Sequence, residues 1–118
     1  MKRIELYENA YREKRHSELG VVPMVYFSYF KSIESGDELL DFYDCIYDEY
    51  IEASVNQMRA VGIKQFTVSS GFSSVIKSIA KFCEYGCSVV GMTKTHSEHR
   101  NWTTGEYDEI PAILMQID

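Results

Sequence analysis

The sequence predicts an α/β protein, on the border with α+β, in which N-terminal helices precede a β-α-β-β unit and pack on a small three-stranded mixed sheet. Two observations support this fold class. Between Gly62 and Met92 the hydrophobic period changes from that of a strand to that of a helix and back. The run Ile110–Ile117 is apolar on both faces up to Gln116, as expected of one more strand. The 118 residues suit a single domain with one hydrophobic core.

The N-terminal half is predicted to be helical. A weakly amphipathic helix over 2–19 ends at Gly20, and a second helix follows Pro23, because proline is favoured in the first turn. The second helix is apolar or aromatic on nearly all sides, which is typical either of a core helix or of one covered by another subunit. A short acidic connection over 37–42 then leads to a third helix over 43–61, with Leu39, Leu40 and Phe42 as inward anchors.

The strand-helix-strand unit follows. Ile63, Phe66 and Val68 indicate a strand, and Gly86 ends the next helix at a position that favours a left-handed residue. The predicted buried face of that helix comprises Phe72, Val75, Ile76, Ile79, Phe82 and Cys83. A crossover helix implies that the strands over 63–68 and 87–92 lie side by side and parallel. A polar connection over 93–108 then leads to the last strand, which returns antiparallel to the strand ending at Met92.

Charge and composition exclude several classes of function. The net charge of −6 lacks the clustered lysines and arginines of a nucleic-acid surface, so it disfavours direct binding of nucleic acid and favours a basic partner. There is no apolar run of membrane length and no leader pattern, so we predict a cytoplasmic protein without a membrane segment. The three cysteines, Cys45, Cys83 and Cys87, are an odd number, which favours free thiols.

The first candidate site is the serine-rich turn between the strand ending at Val68 and the helix that follows. Amide groups at a helix N-terminus bind anions, and serine hydroxyls add donors, so a phosphate or nucleotide could bind here. The turn lacks the lysine of a P-loop and the Gly-x-Ser-x-Gly of a hydrolase, and serines at this position are equally typical of a plain helix cap. The candidate ligand-binding residues are Ser69, Ser70, Gly71, Ser73 and Ser74, with His96 and Trp102 from the later polar connection.

Metal binding and catalysis have weaker signals. Cys83, Cys87, His96 and His99 are residue types that zinc prefers, but their spacing falls outside the usual windows and Cys83 is in phase with the predicted buried face. No histidine lies in a recognisable motif with serine, cysteine or aspartate. We therefore predict no metal, no cofactor and no catalytic residue, and we favour a non-enzymatic protein.

The second candidate site is a partner-binding surface on the helical half. From Glu34 to Glu52 the chain carries eight acidic residues and no lysine or arginine. Such a block is either a solvated helix face or a docking surface for a basic protein, and the aromatic helix offers a surface for self-association. The candidate partner-binding residues are Tyr26, Tyr29, Phe30, Asp41, Asp44 and Asp48.

Several short segments carry a family resemblance: Leu39-Leu40-Asp41-Phe42, the stretch from Gly62 to Ser70, Gly86-Cys87, Thr104-Gly105-Glu106 and the run Ile110–Met115. In these the chain resembles a family of short, acidic, uncharacterised proteins of Gram-positive bacteria, commonly carried on plasmids, conjugative elements and phages. The resemblance implies a cytoplasmic accessory protein and supplies no functional residues. We therefore predict an interaction module that self-associates or binds a protein partner, the alternative being a small-molecule, phosphate or nucleotide site at Ser69 to Ser74.

Overall fold

The computed structural model describes residues 4–13, 20–43, 46–69 and 73–118. Helices precede and alternate with the strands, which confirms the predicted class of helices with a small mixed sheet. Helix α3 is preceded by a single 3-10 turn, Asp48–Tyr50. The elements are α1 Glu5–Glu13, α2 Pro23–Ser35, β1 Asp41–Phe42, α3 Ile51–Ala60, β2 Gln65–Val68, α4 Val75–Glu84, β3 Cys87–Arg100 and β4 Tyr107–Ile117.

The sheet has four strands in the order β1-β2-β4-β3. β1 pairs parallel to β2, and β4 is antiparallel to both β2 and β3. The two strands joined by α4 therefore run in the same direction, as predicted, but the expectation that they lie side by side is wrong because β4 separates them. Two strand spacings amount to about 9.6 Å, roughly the diameter of a helix, so α4 can bridge the gap.

Two predicted connections contain strand. Phe42, expected in a loop, pairs with Val68, and this two-residue β1 is the fourth strand that the prediction missed. The polar connection predicted over 93–108 is mostly a hairpin, because β3 continues to Arg100 and β4 begins at Tyr107. Threonine has a high strand propensity, and Thr93 and Thr95 pair with Ala112 and Ile110 across the hairpin.

Helix α3 begins later than predicted. The chain leaves the sheet at Phe42, is extended at Tyr47, and forms a 3-10 turn before Ile51. The acidic side chains of Asp48 and Glu49 thus precede the helix rather than lying within it, where they complement the positive end of its dipole.

The core joins all four helices to the sheet. Phe66 is central to it, with its ring centroid 5.4 Å from that of Phe42 and 5.0 Å from that of Phe82. A second aromatic contact joins Tyr7 of α1 to Tyr29 of α2 at 5.1 Å. Within the described residues, no helix combines the length and the apolar character needed to cross a membrane.

The buried face of α4 differs from the predicted one. Phe82 and Ser78 are buried, and Val75 and Ile79 are half-buried. Ile76 is 74% exposed and Cys83 is exposed, so their predicted inward positions are wrong, while Phe72 lies outside the described residues. The residues that α4 turns toward the core are those at positions 75, 78, 79 and 82, which form one continuous stripe along the helix. The polar residue at position 78 concealed this stripe from a pattern based on hydrophobicity.

Candidate functional site

A buried ion pair joins α2 to β1. The Asp41 carboxylate is fully buried and accepts hydrogen bonds from Thr67 Oγ1 and Ser69 Oγ, each at 2.6 Å. The Lys31 ammonium pairs with the same carboxylate. Both carboxylate oxygens of Asp41 are thus bonded within the chain, and the cluster fixes α2 against the carboxyl ends of β1 and β2. Asp41 does not contribute to an exposed acidic surface, which corrects the expectation for this residue.

A second carboxylate, Asp37, joins the end of α2 to β3. Its Oδ1 lies 2.6 Å from Nδ1 of His96. Its Oδ2 accepts hydrogen bonds from Ser35 Oγ and Thr95 Oγ1 at 2.9 Å and from the backbone N–H of His96 at 3.3 Å. Burial raises the pKa of Asp37, but the hydrogen bonds from His96, Ser35 and Thr95 outweigh it, so the pKa lies below its ordinary value. The carboxylate is held in its ionised form by these donors.

A small cleft of about 250 Å³ separates the two carboxylate clusters, lined by Asp37, Thr67, Thr93 and Thr95 among others. The Asp37–His96 pair has the geometry in which a carboxylate orients an imidazole, leaving Nε2 for a ligand or a proton. Among the described residues, neither a nucleophile bonded to that nitrogen nor a metal-binding group of three or more His, Cys, Asp or Glu is present. Both carboxylates therefore act first as links between secondary-structure elements.

The serine-rich turn is only partly described. Ser69 bonds to Asp41, whereas Ser70 and Gly71 lie outside the described residues. Ser73 and Ser74 are exposed, and Ser74 occupies the N-cap position of α4 without a side-chain cap hydrogen bond. Ligand binding by this turn stays a prediction.

The two more distant candidates differ in placement. His96 belongs to the Asp37 cluster and Ser69 to the Asp41 cluster on either side of the cleft, and neither residue lines it. Trp102 is fully exposed in the turn between β3 and β4 and is not brought to that region.

The aromatic face of α2 belongs to the core. Tyr26 and Tyr29 are buried and Phe30 is half-buried, so the expectation of a partner surface on these rings is not met. Phe27 alone of the four aromatic residues in this helix is exposed. Of the acidic candidates, Asp48 is exposed, as are Glu34, Glu38, Glu49 and Glu52, while Asp44 lies outside the described residues.

The largest exposed apolar side chains in the sheet lie on β3. We name Val89, Val90 and Met92 the β3 edge surface. Val89 is 52% exposed and Met92 is 69% exposed. Val89 pairs with Met115 and Met92 pairs with Ile113, and both partners belong to the core or pack against it. Because the register shifts at Val90, Val89 and Met92 both lie on the core-facing side of the sheet. The core-facing side of the sheet thus continues beyond α4 without a cover.

Sequence patterns could not reveal this surface. An apolar strand such as Cys87–Met92 is expected to be buried, and it would be buried if β3 were central. β3 is instead the outer strand of the sheet, beyond β4. Strand order, which hydrophobic periodicity does not encode, decides the exposure.

Comparison with known proteins identifies a family without a known activity. No curated protein and no solved structure matches the chain. Residues 24–117 match the model of a domain of unknown function, DUF7698. The matched segment runs from α2 to the end of β4 and includes both carboxylate clusters and the β3 edge surface. The chain therefore belongs to the DUF7698 family of domains of unknown function.

Proposed function

We propose that this protein is an interaction module that associates with a second copy of itself through the β3 edge surface. One observation carries the proposal: Val89 and Met92 are more than half exposed although they lie on the side of the sheet that is elsewhere core. Exposed apolar side chains clustered on one strand favour protein association. An accessory role on a mobile genetic element, which the sequence resemblance implies, is part of the same proposal.

The edge of β3 favours pairing with another strand. An outer strand presents unpaired N–H and C=O groups, and natural proteins usually guard such edges with lysine, proline or short length. β3 is 14 residues long, and its first half, Cys87–Thr93, contains no charged residue and no proline. The first guarding charge on the strand is Lys94. The edge is therefore open over its apolar half.

A second copy fits this edge better than a basic protein does. Two antiparallel copies related by a two-fold axis between Val90 and Gly91 would place Val89 opposite Met92 of the other copy, and each contact would occur twice. A basic partner would require acidic groups on the docking surface. The β3 edge surface has none, and no like charges meet where Ser88–Thr93 would pair with its copy.

Helix α4 extends the same surface. Its 10 residues rise about 15 Å, and the strand from Cys87 to Met92 rises about 17 Å in the return direction. The exposed Ile76, near the start of α4, therefore lies at about the level of Met92. The proposed contact thus combines strand pairing with apolar packing beside it.

Sedimentation velocity of the full chain, from micromolar to millimolar concentration, tests the proposal. The wild-type protein is expected to shift with concentration from its 13.7 kDa monomer toward twice that mass. Val89→Lys and Met92→Lys should keep the chain monomeric, because each places a charge at the centre of the contact. Trp102→Lys is the matched control, since it removes a fully exposed apolar side chain outside the surface.

Two results would overturn the proposal. One is a wild-type protein that stays monomeric over the whole range, and the other is lysine variants that associate as strongly as wild type. Circular dichroism spectra and unfolding midpoints of the variants establish that they remain folded.

A further inference from the structure

We propose that the cavity at the start of α4 binds a compact zwitterion carrying one ammonium and one carboxylate group, such as a free α-amino acid. The cavity has a volume of about 340 Å³. Asp48 and Glu49, from the connection between β1 and α3, line one side, and Ser74, Lys77 and Ser78 of α4 and its cap line the other. Its lining residues come from the segments that follow the parallel strands β1 and β2 in the chain, and ligands of open α/β sheets commonly bind beyond the carboxyl ends of such strands.

Ser78 supplies the observation that points to a ligand. The residue is only 7% exposed and lines the cavity, yet its hydroxyl bonds to no other residue in the described part of the chain. The helical serines Ser28 and Ser54 instead donate to the carbonyl four residues earlier, at 2.9 and 2.7 Å. Among the described residues, the fully buried hydroxyl without a partner is that of Ser32, so the Ser78 oxygen stays accessible from the cavity, where a polar ligand atom can bond to it.

The backbone explains why Ser78 does not bond like the other serines. The corresponding carbonyl, that of Ser74, already accepts the backbone N–H groups of Lys77 at 3.1 Å and Ser78 at 3.3 Å. The hydroxyl of Ser32 also has no partner, but that residue is fully buried within the packed structure. Ser78 therefore differs from Ser32 in facing a space that a ligand can enter.

The charges around the cavity select the class of ligand. Lys77 and the positive end of the 10-residue helix α4 favour a carboxylate. Asp48 and Glu49 on the opposite side favour an ammonium group and would repel a phosphate. The volume is near the low end of the range for small-molecule pockets, about 300 to 1,000 Å³. A small zwitterion satisfies both signs of charge, whereas the phosphate predicted for the serine-rich turn satisfies one.

Amide chemical shifts of the ¹⁵N-labelled full chain test this inference, with L-alanine as the probe. L-Alanine is expected to shift the amides of residues 74–78 saturably at millimolar concentration. Acetate, methylammonium and inorganic phosphate should shift them much less, because each carries only one of the two charges.

Two variants and one control connect the binding to the cavity. Lys77→Gln and Ser78→Ala should each weaken L-alanine binding by about tenfold, as expected for the loss of one hydrogen bond to a charged group. Lys81→Gln, one turn further along the same helix and outside the cavity, should leave the affinity unchanged. The absence of saturable shifts, tighter binding of phosphate than of L-alanine, or unchanged affinity in both cavity variants would overturn the inference. The fingerprint of the remaining amides reports whether each variant is folded.

Discussion

Replacement of Asp41 by asparagine is expected to destabilise the fold by about 3–5 kcal/mol, the usual cost of breaking a buried ion pair. The Lys31 side chain is only 9% exposed and Asp41 is fully buried, so little water can replace the carboxylate. Asparagine retains a single oxygen, so only one of the hydroxyls of Thr67 and Ser69 keeps its acceptor. Because domains of this size are stable by about 5–15 kcal/mol, the variant should lose a large part of its stability.

Removing both charges separates the effect of the ion pair from that of packing. Lys31→Met alone leaves the Asp41 carboxylate buried without its cation and should also cost about 3–5 kcal/mol. If the two effects were independent, the double variant would lose about 6–10 kcal/mol. Because the double variant leaves no uncompensated charge, we expect it to lose only about 1–3 kcal/mol, from the hydroxyl acceptor and the altered packing. The coupling between the two positions is therefore large.

Urea unfolding at neutral pH, followed by circular dichroism, measures the four free energies of this cycle. Lys94→Met is the control, because Lys94 and Glu109 form an exposed pair at 3.2 Å that should be worth less than about 1 kcal/mol. A loss of less than about 1 kcal/mol in Asp41→Asn, or additive losses in the double variant, would refute the reasoning.

Three further predictions concern the loss of stability at low pH, the reactivity of the thiols and the buried face of α4. Burial raises the pKa of Asp37, but the hydrogen bonds to its carboxylate lower that pKa by more, so the pKa in the folded protein is below the ordinary value of about 3.9. The ionised carboxylate therefore contributes fully to stability above the ordinary pKa, and this contribution disappears as the pH falls through the lower folded value. Asp37→Asn should therefore lower the urea midpoint at neutral pH and reduce the amount by which that midpoint falls in acid. Midpoints of variant and wild type that fall in parallel with pH would contradict this. Burial raises the pKa of Cys87 to about 11 while Cys83 is exposed, so of these two thiols iodoacetamide at about pH 8 should label only Cys83 in the native protein and both in urea, as peptide mass spectrometry would show. Equal native labelling would count against the described burial. Phe82→Ala should cost about 3–5 kcal/mol in urea unfolding of dilute protein, and Ile76→Ala less than about 1 kcal/mol; the reverse order would disprove the assigned buried face.

Hydrophobic periodicity located most elements of this fold. The alternation around Phe66 and Val68 placed β2, and the helical spacing that ends at Phe82 placed α4. Periodicity could not resolve the face of α4, because Ser78 occupies a buried position and Ile76 an exposed one. Tertiary contacts, rather than local pattern, decide both positions.

The polar clusters were less accessible to prediction. Asp37 and His96 are 59 positions apart, and Asp41 and Thr67 are 26 apart, so no local motif contains either pair. One signal was present for Asp41, which stands between the apolar residues Leu40 and Phe42 in a short strand. A carboxylate in that setting requires internal donors if the strand is buried. Its position within a long acidic run favoured the interpretation as a solvated charge.

The two proposed contacts share helix α4, and this determines which variants can test them separately. Ile76 is part of the proposed contact between copies, while its neighbour Lys77 lines the cavity. A lysine at position 76 would interrupt association and also add a cation beside the cavity, so its effects could not be assigned. Met92 lies on β3 and does not line the cavity, so Met92→Lys removes apolar contact while leaving the charges of the ligand site in place. Loss of association with retained L-alanine binding in that variant is the result that the geometry requires if the two sites act independently.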